Sequence, residues 1–275
     1  MSDISDLLQA RYGQPSASTS GAANPTLETL LQHRSVRSFL PKPLEPGTLE
    51  VLVAAGQSAA TSSNLQTWSV IAISDAERKA QAATLSGDQD FIRAAPLLLV
   101  FCADLSRLSR VSQRRGAPGA GLEYTEMFLM ASIDAALASQ NVALAAESLG
   151  LGICYVGAAR NKPREMAALL RLPDRVIALF GLAVGFPDPA SPASVKPRLG
   201  RDEVLHRETW SDDTEKQVER FAEYDDVLAT FNAGQTREGI PAWTDRCAKR
   251  VATVESLTGR HVWNEVLKER GFELK

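Results

Sequence analysis

Apolar and polar residues follow two different rhythms along the chain, and together these predict helices around a sheet. Short apolar runs bounded by turn residues predict buried strands at 68–73, 96–103, 153–156 and 176–184. Stretches with apolar residues three or four positions apart, or rich in helix formers, predict helices at 26–33, 49–58, 123–149, 163–170, 214–231 and 243–257. Helices mixed with an open sheet indicate an α+β or α/β class.

The ends and faces of these helices carry further information. Thr26 is the expected N-cap of the first helix, and Gly150 is expected to end the longest one. The helix at 123–149 carries apolar and small residues on nearly every face. Such a helix is buried on all sides, either in a large core or across a subunit interface.

Composition changes at both ends of the chain and suggests a domain organisation. Residues 16–25 are rich in Ser, Ala, Thr and Gly, which cannot build a core. We therefore predict an N-terminal arm and flexible linker over 1–25, followed by a single domain over 26–275. Charged residues dominate after Arg201, so 211–257 is predicted to be a C-terminal helical excursion from this domain.

Bulk charge and cysteine content exclude several classes of protein. The 275 residues have a net charge of −3, so nothing favours nucleic acid or an anionic membrane. No apolar run approaches the roughly 20 residues of a membrane span, and the start lacks a basic region followed by an apolar stretch. We therefore expect a cytoplasmic protein, with Cys102 and Cys154 as buried small hydrophobic residues.

The common catalytic motifs do not occur in this sequence. The three histidines have no metal-ligand spacing, and the motifs GxSxG and GxxxxGK[ST] and a strand-following GxGxxG are missing. No metal is predicted. If the protein is an enzyme, a bound organic cofactor is the economical source of its chemistry.

Four segments combine residue types that suit a polar, anionic ligand, although each also has an ordinary structural interpretation. HRSVRSF (33–39) places two arginines at a helix end, where they could bind an anion or remain solvated. TSSNLQTW (61–68) offers hydroxyl and amide groups, which also form caps and turns. GLGICYVGAARN (150–161) ends a strand in small residues, and KPR (196–198) holds two cations beside a proline.

The order and spacing of these segments resemble the FMN-dependent nitroreductase family. The match is carried by HRSVRSF, TSSNLQ, SGDQDF, AAESLGLG, CYVGAARN and KPRLG, and extends from about residue 26 to 206, more weakly to 257. It is closest to the branch of oxygen-insensitive NADPH nitroreductases and NADPH–flavin oxidoreductases. The resemblance implies a nitroreductase-like α+β fold, with a central mixed β-sheet flanked by helices. It also implies a homodimer whose subunits build both active sites.

The resemblance also assigns residues of this sequence to FMN. The cofactor-binding set it implies is His33, Arg34, Ser35, Arg37, Thr61, Ser62, Ser63, Gln66, Gln89, Tyr155, Val156, Gly157, Ala158, Lys196 and Arg198. Among these, Arg34, Lys196 and Arg198 would surround the phosphate, while Arg37 would face the N1–C2=O edge of the isoalloxazine. A backbone N–H of Gly157 or Ala158 would face N5. Ala158 stands where a second glycine is common, and this requires a negative φ.

The family's reaction is implied in the same way. NAD(P)H would pass a hydride to flavin N5 and leave, and a nitroaromatic, a quinone or free flavin would then accept two electrons in a ping-pong cycle. No side-chain acid or base is obligatory, and the role of Arg37 is electrostatic. Substrate contacts are expected from Glu126, Arg160 and Arg237.

Two departures from the family pattern matter. Asp90 and Phe91 follow Gln89 where basic residues or histidine are frequent, so neither is assigned a role. The related branch binds the extra phosphate of NADPH with two arginines in the C-terminal excursion, whereas the loop 232–239 holds only Arg237, next to Glu238. Either NADPH or NADH is therefore a possible co-substrate.

Two other functions remain open from the sequence. Relatives on this fold carry out reductive dehalogenation or flavin cleavage, and the basic loop predicted at 106–121 would then select an anionic acceptor, unless it is merely solvated. A non-enzymatic flavin-binding redox module is the other alternative, with the N-terminal arm as its interaction segment.

Overall fold

The computed structural model describes residues 3–14, 21–235 and 239–275. In chain order the elements are α1 (Ile4–Tyr12), α2 (Pro25–Leu31), α3 (Thr48–Gln57), β1 (Trp68–Ile73), α4 (Ala76–Leu85), α5 (Asp90–Ala94), β2 (Leu97–Asp104), α6 (Ser106–Arg114), α7 (Thr125–Ser148), β3 (Gly152–Val156), α8 (Pro163–Leu169), β4 (Val176–Gly185), α9 (Thr214–Gly234), α10 (Trp243–Val251) and α11 (Trp263–Glu269). They form two compact units: a helical unit (Met1–Arg34 with Ser194–Leu257) and a sheet unit (Ser35–Ala193 with Thr258–Lys275).

The sheet contains the four strands predicted from the sequence, in the order β1-β2-β4-β3. Every ladder in it is antiparallel, so the prediction of a mixed sheet was wrong. The mixed sheet was implied by the resemblance alone, and the sequence pattern could not correct it: β2 and β4 are buried on both faces, and a continuous apolar run indicates burial but not strand direction. Among the described residues, the isolated bridge between Ser35 and Ile153 is the parallel pairing that remains.

Helix α7 is the main core helix of the sheet unit. It contacts α3 and all four strands, and its predicted C-terminal glycine, Gly150, has the left-handed φ of +76° that follows many helix ends. By length and composition alone α7 could cross a membrane, contrary to the expectation that no stretch of the chain approaches a membrane span. One side of it, however, carries buried alanines and the buried Asp134, as expected of a helix packed on a sheet.

Two local predictions required correction. The N-cap of α2 is Asn24, because its side chain accepts the N–H of Leu27 at 2.9 Å, whereas Thr26 is exposed. The stretch after β2 is not a loop throughout, since Ser106–Arg114 forms α6. Its N-terminal N–H groups are capped by the Asp104 carboxylate, a contact between neighbouring residues that composition alone does not reveal.

The helical unit gives the N-terminal arm a definite structure. Helix α1 has Asp3 as its N-cap and Gly13, with a φ of +71°, as its C-cap, and it packs against α2. The backbone N–H of Ile4 donates to Gly21, and Ala23 is fully buried. Ser16–Ser20 of the predicted linker lie outside the described residues, and the domain boundary predicted at residue 25 stays a prediction.

The two cysteines expected to be buried are buried. Cys102 and Cys154 are 0% and 1% exposed, and both are free thiols. Burial raises the pKa of Cys102 to about 12, so this thiol remains protonated at neutral pH. The prediction that they serve as small hydrophobic residues is therefore confirmed.

Candidate functional site

In the sheet unit, residues 35–39 of the HRSVRSF segment begin beside β3. The backbone N–H of Val36 donates to the carbonyl of Ile153 at 2.8 Å. A side chain at Gly152 would come within 2.8 Å of Val36, so only glycine permits this close approach. The pairing leaves Ser35 and Arg37 exposed beside the strand that leads to the small-residue segment after β3.

Arg37 is held by a residue to which the sequence analysis assigned no role. Its guanidinium lies over the ring of Phe91, 5.9 Å from the centroid, in a cation–π arrangement. Arg37 also acts on Cys154 electrostatically: burial raises the pKa of this thiol, and the positive charge of Arg37 partly offsets the rise. Phe91 lies in the first turn of α5, and Gln89 is the N-cap of the same helix. Arg37 therefore packs against the segment that contains Gln89.

The SGDQDF segment lies beside the turn that follows β3. A side chain at Gly87 would be 3.7 Å from Asn161 Nδ2 and 3.9 Å from the Cβ of Ala158. Gln89 is half-buried, and its amide donates to the carbonyl of Ser86 at 2.8 Å. Ala158 does not have a positive φ, which satisfies the condition that alanine imposes at this position.

The remaining predicted residues of the sheet unit differ in their surroundings. Arg160 donates to the carbonyl of Leu179 at 2.6 Å, and its own carbonyl accepts Trp263 Nε1–H at 3.0 Å, so it is tied to β4 and to the start of α11. The hydroxyl of Tyr155 donates to Ser139 on α7. Glu126 is exposed in the first turn of α7. The roles proposed for these residues stay predictions.

The hydroxyl-rich loop before β1 is organised by a buried carboxylate that the sequence analysis missed. Asp134 on α7 is 1% exposed and accepts hydrogen bonds from the hydroxyls of Thr61 and Thr67 and from the N–H groups of Ser62 and Thr67. The Thr61 oxygen also accepts the N–H of Gln66 at 2.9 Å. Thr61 is thus a structural anchor of the loop, and a lone aspartate within an apolar helix was the signal that could have identified its partner.

Strain is concentrated in the same loop. Ser63, Asn64 and Gln66 all have φ between +47° and +54°, a left-handed conformation that costs free energy in residues other than glycine. Ser62 and Ser63 are exposed at its tip. Arg107 on α6 donates to the carbonyls of Gln66 and Trp68. The first arginine of the stretch 106–121, which was predicted to be a basic loop, therefore helps to fix the hydroxyl-rich loop before β1.

We expect Asp134→Asn to lower the free energy of unfolding by about 1–3 kcal/mol, the usual cost of leaving buried donors unsatisfied. Burial raises the pKa of Asp134, but the hydrogen bonds from Thr61, Thr67 and Ser62 together bring it below the ordinary value. The carboxylate therefore stabilises the fold above the unfolded pKa of about 3.9, and this stability is lost as the pH falls through the lower folded value. Urea unfolding at pH 7 and at pH 3 measures both effects.

A matched control for this prediction is Asp75→Asn, at an exposed helix N-cap. This control is expected to lower the free energy of unfolding less than Asp134→Asn does at pH 7. An Asp134→Asn protein as stable as the parent at pH 7 would contradict the anchoring role.

The helical unit carries the other predicted cations. Arg34, Lys196 and Arg198 are exposed, and His33 is half-buried. The two segments that bear them are joined by Arg11 of α1, whose guanidinium donates to the main-chain carbonyls of His33 at 2.8 Å and Lys196 at 3.1 Å. Arg237 lies outside the described residues.

The groups in each unit fit the chemistry of FMN. Exposed guanidinium and ammonium groups in the helical unit suit a phosphate dianion. In the sheet unit, Arg37, the amide of Gln89 and the small residues Gly157 and Ala158 suit the polar edge and the flat face of an isoalloxazine. No cluster of His, Cys, Asp or Glu that could hold a metal is found among the residues with described positions.

Comparison with known proteins gives a consistent result. The model of the nitroreductase family matches residues 30–186, and that of the nitroreductase family C-terminal domain matches 196–275. The chain is 38% identical over 251 residues to FMN reductase (NADPH) of Bacillus subtilis, covering 90% of this chain and 98% of that protein. It is 38% identical over 208 residues to the oxygen-insensitive NADPH nitroreductase of Salmonella typhimurium, covering 76% and 82%.

Solved structures show the same similarity in three dimensions. The NfrA1 nitroreductase from B. subtilis superposes with a TM-score of 0.83 at 38% identity, covering 90% of this chain and 99% of that one. The NADPH:FMN oxidoreductase from Vibrio harveyi, solved in complex with NAD+, superposes with a TM-score of 0.80 at 29% identity, covering 92% and 100%.

Proposed function

The chain belongs to the nitroreductase family, and on that premise we propose that it is an FMN-dependent oxidoreductase that uses NADPH to reduce nitroaromatics, quinones or free flavin. The observation that carries the proposal is that the two family models cover residues 30–186 and 196–275, and these ranges contain the cation-bearing and small-residue segments. Relatives named for NADPH-dependent reduction of FMN and of nitro compounds support the same chemistry.

The residues have distinct tasks in this proposal. FMN, when bound, supplies the two-electron chemistry between NADPH and the acceptor. Arg34, Lys196 and Arg198 hold the phosphate by charge-assisted hydrogen bonds. Arg37, fixed over Phe91, favours negative charge at the adjacent ring edge, and a backbone N–H of Gly157 or Ala158 orients the reacting position.

The experiment that tests the function is anaerobic reduction. The purified protein, incubated with FMN and freed of excess cofactor, is expected to be yellow, and NADPH is expected to bleach the flavin absorbance without oxygen. A yellow protein that neither NADPH nor NADH can bleach would refute hydride transfer. Turnover with nitrofurazone, a quinone and a halotyrosine then separates a nitroreductase or quinone reductase from a dehalogenase.

A homodimer is part of the proposal, and the outer face of α7 supports it. Leu129, Ile133 and Leu137, spaced four residues apart, are 50%, 57% and 44% exposed and form a continuous apolar stripe. A stripe of this kind on a core helix is typical of an interface between copies of one chain, where a symmetric partner covers it.

We expect Ile133→Glu to convert the dimer into monomers at micromolar concentration, because a charge would be buried in an apolar contact. Sedimentation equilibrium or light scattering measures the mass. Val251→Glu is the control, since Val251 is 75% exposed on α10 and carries no predicted role. An unchanged mass for Ile133→Glu would exclude this stripe as the interface.

Nucleotide preference depends on Arg237 in the proposal. Removing it with Arg237→Ala is expected to raise the KM for NADPH about 2- to 5-fold, because a single ion pair typically contributes up to about 1 kcal/mol, and to leave the KM for NADH unchanged. Steady-state kinetics with both nucleotides measures the ratio. An unchanged NADPH/NADH ratio would count against this role.

A cytoplasmic location completes the proposal. All three cysteines are free, including the exposed Cys247, as is usual in a reducing compartment.

A further inference from the structure

Arg11 occupies an unusual position for a charged residue near the N-terminus. It lies in the last turn of α1 and is only 9% exposed. Its guanidinium donates to the carbonyls of Leu31 at 2.7 Å, His33 at 2.8 Å and Lys196 at 3.1 Å. The two family models match residues 30–186 and 196–275, so α1 lies outside the part of the chain that they cover.

The contacts of Arg11 join the two segments that carry the phosphate-binding cations of the proposed function. His33 precedes Arg34, and Lys196 belongs to the KPR segment with Arg198. The main chain adds a further link, since the N–H of Arg198 donates to the carbonyl of Arg11 at 2.9 Å. The rigid planar fork of an arginine spaces its donors apart in fixed directions, whereas the three donors of a lysine lie on one rotatable nitrogen.

The charges of Arg11 and Arg198 favour binding of an anion at this place. Arg198 Nη1 donates to the same Lys196 carbonyl oxygen as Arg11 Nη1, at 3.0 Å and 3.1 Å. The two guanidinium groups therefore lie on one oxygen atom, although their positive charges repel each other. A phosphate bound beside them is attracted by both, and the attraction to Arg11 is only weakly screened because that residue is buried.

We propose that Arg11 is a positioning residue for the FMN phosphate. Its hydrogen bonds fix the main chain of His33–Arg34 to the main chain of Lys196–Arg198, and its guanidinium adds a buried positive charge next to both segments. This inference rests on the proposed function. It makes the N-terminal helix, which the family models do not include, a part of cofactor binding.

The test compares two flavins that differ only in the phosphate. Apoprotein of the parent, Arg11→Met, Arg11→Lys and the control Arg250→Met is titrated with FMN and with riboflavin, and quenching of flavin fluorescence gives Kd. We expect Arg11→Met to weaken the binding of FMN about 10- to 100-fold, the range for charge-assisted hydrogen bonds, and to weaken the binding of riboflavin less than about 2-fold. Arg11→Lys is expected to fall between parent and Arg11→Met. Arg250, exposed on α10, is expected to have no effect.

Each other outcome is decisive. Equal loss of FMN and riboflavin would mean that Arg11 only holds the fold, and unchanged FMN affinity would mean that it has no role; both overturn the inference. If circular dichroism shows that Arg11→Met does not fold, the ratio of the Kd values of Arg11→Lys for FMN and riboflavin, compared with that of the parent, decides between these outcomes. A parent protein that binds neither flavin would instead refute the proposed function.

Discussion

Arg37→Ala is expected to slow reduction of the bound flavin by NADPH about 10²- to 10³-fold, the loss typical when one fixed group that stabilises developing charge is removed. The guanidinium is exposed but held over Phe91, so it is positioned before any ligand binds. Without it, negative charge at the ring edge has no fixed counter-charge, and the midpoint potential of the flavin is expected to become more negative. Anaerobic stopped-flow absorbance, with FMN in excess, separates slow reduction from loss of cofactor.

Three variants make this result specific to the charge and position of Arg37. Arg78→Ala removes an exposed arginine from α4 of the same unit and is expected to react like the parent. Arg37→Lys keeps the charge but loses the planar fork, so it is expected to recover part of the rate. Phe91→Leu is expected to slow reduction of the flavin less than Arg37→Ala does, because the cation–π contact contributes only about 0.5–1 kcal/mol at an exposed site. A parent-like rate and potential for Arg37→Ala would rule out the electrostatic role.

The double variant Lys196→Ala/Arg198→Ala is expected to weaken FMN binding about 10²- to 10⁴-fold, since each charge-assisted hydrogen bond contributes about 1.5–3 kcal/mol. Riboflavin, which lacks the phosphate, is expected to bind the variant and the parent within about 2-fold of each other. Both residues are exposed, so their removal is expected to cost little apolar packing in the helical unit, although the hydrogen bonds from Arg198 to the carbonyls of Lys196 and Pro197 are lost. Fluorescence titration of apoprotein provides both dissociation constants.

The matched control is Lys249→Ala/Arg250→Ala, which removes the same two residue types from the exposed end of α10. It is expected to bind FMN like the parent. Because the association is electrostatic, the parent's FMN affinity is also expected to fall with rising ionic strength more steeply than that of the clamp variant. If the clamp variant lost riboflavin as strongly as FMN, the phosphate assignment of Lys196 and Arg198 would have to be abandoned.

Local patterns were sufficient for the four strands, for six of the helices and for the family, whereas the helices α1, α4, α5 and α11 were not predicted. The four strands, the long helix and Gly150 after it were predicted within a few residues, because apolar periodicity and helix-ending glycines act over neighbouring positions. The segments that led to FMN could be recognised in the same way, as ordered short motifs. Elements whose signal is weak were less well predicted: α6 was taken for a loop, and Asn24 replaced Thr26 as the cap of α2.

The sequence by itself therefore determined which segments form the buried strands and six of the helices, and which segments carry cations and small residues. Only the tertiary structure decided the antiparallel direction of the sheet and the partners of Arg37, Asp134 and Arg11. The hydrogen bond from Thr61 to Asp134 spans 73 residues, and that from Arg11 to Lys196 spans 185. Contacts between residues so far apart in sequence depend on how elements pack, and a periodic pattern within one element contains no information about that packing.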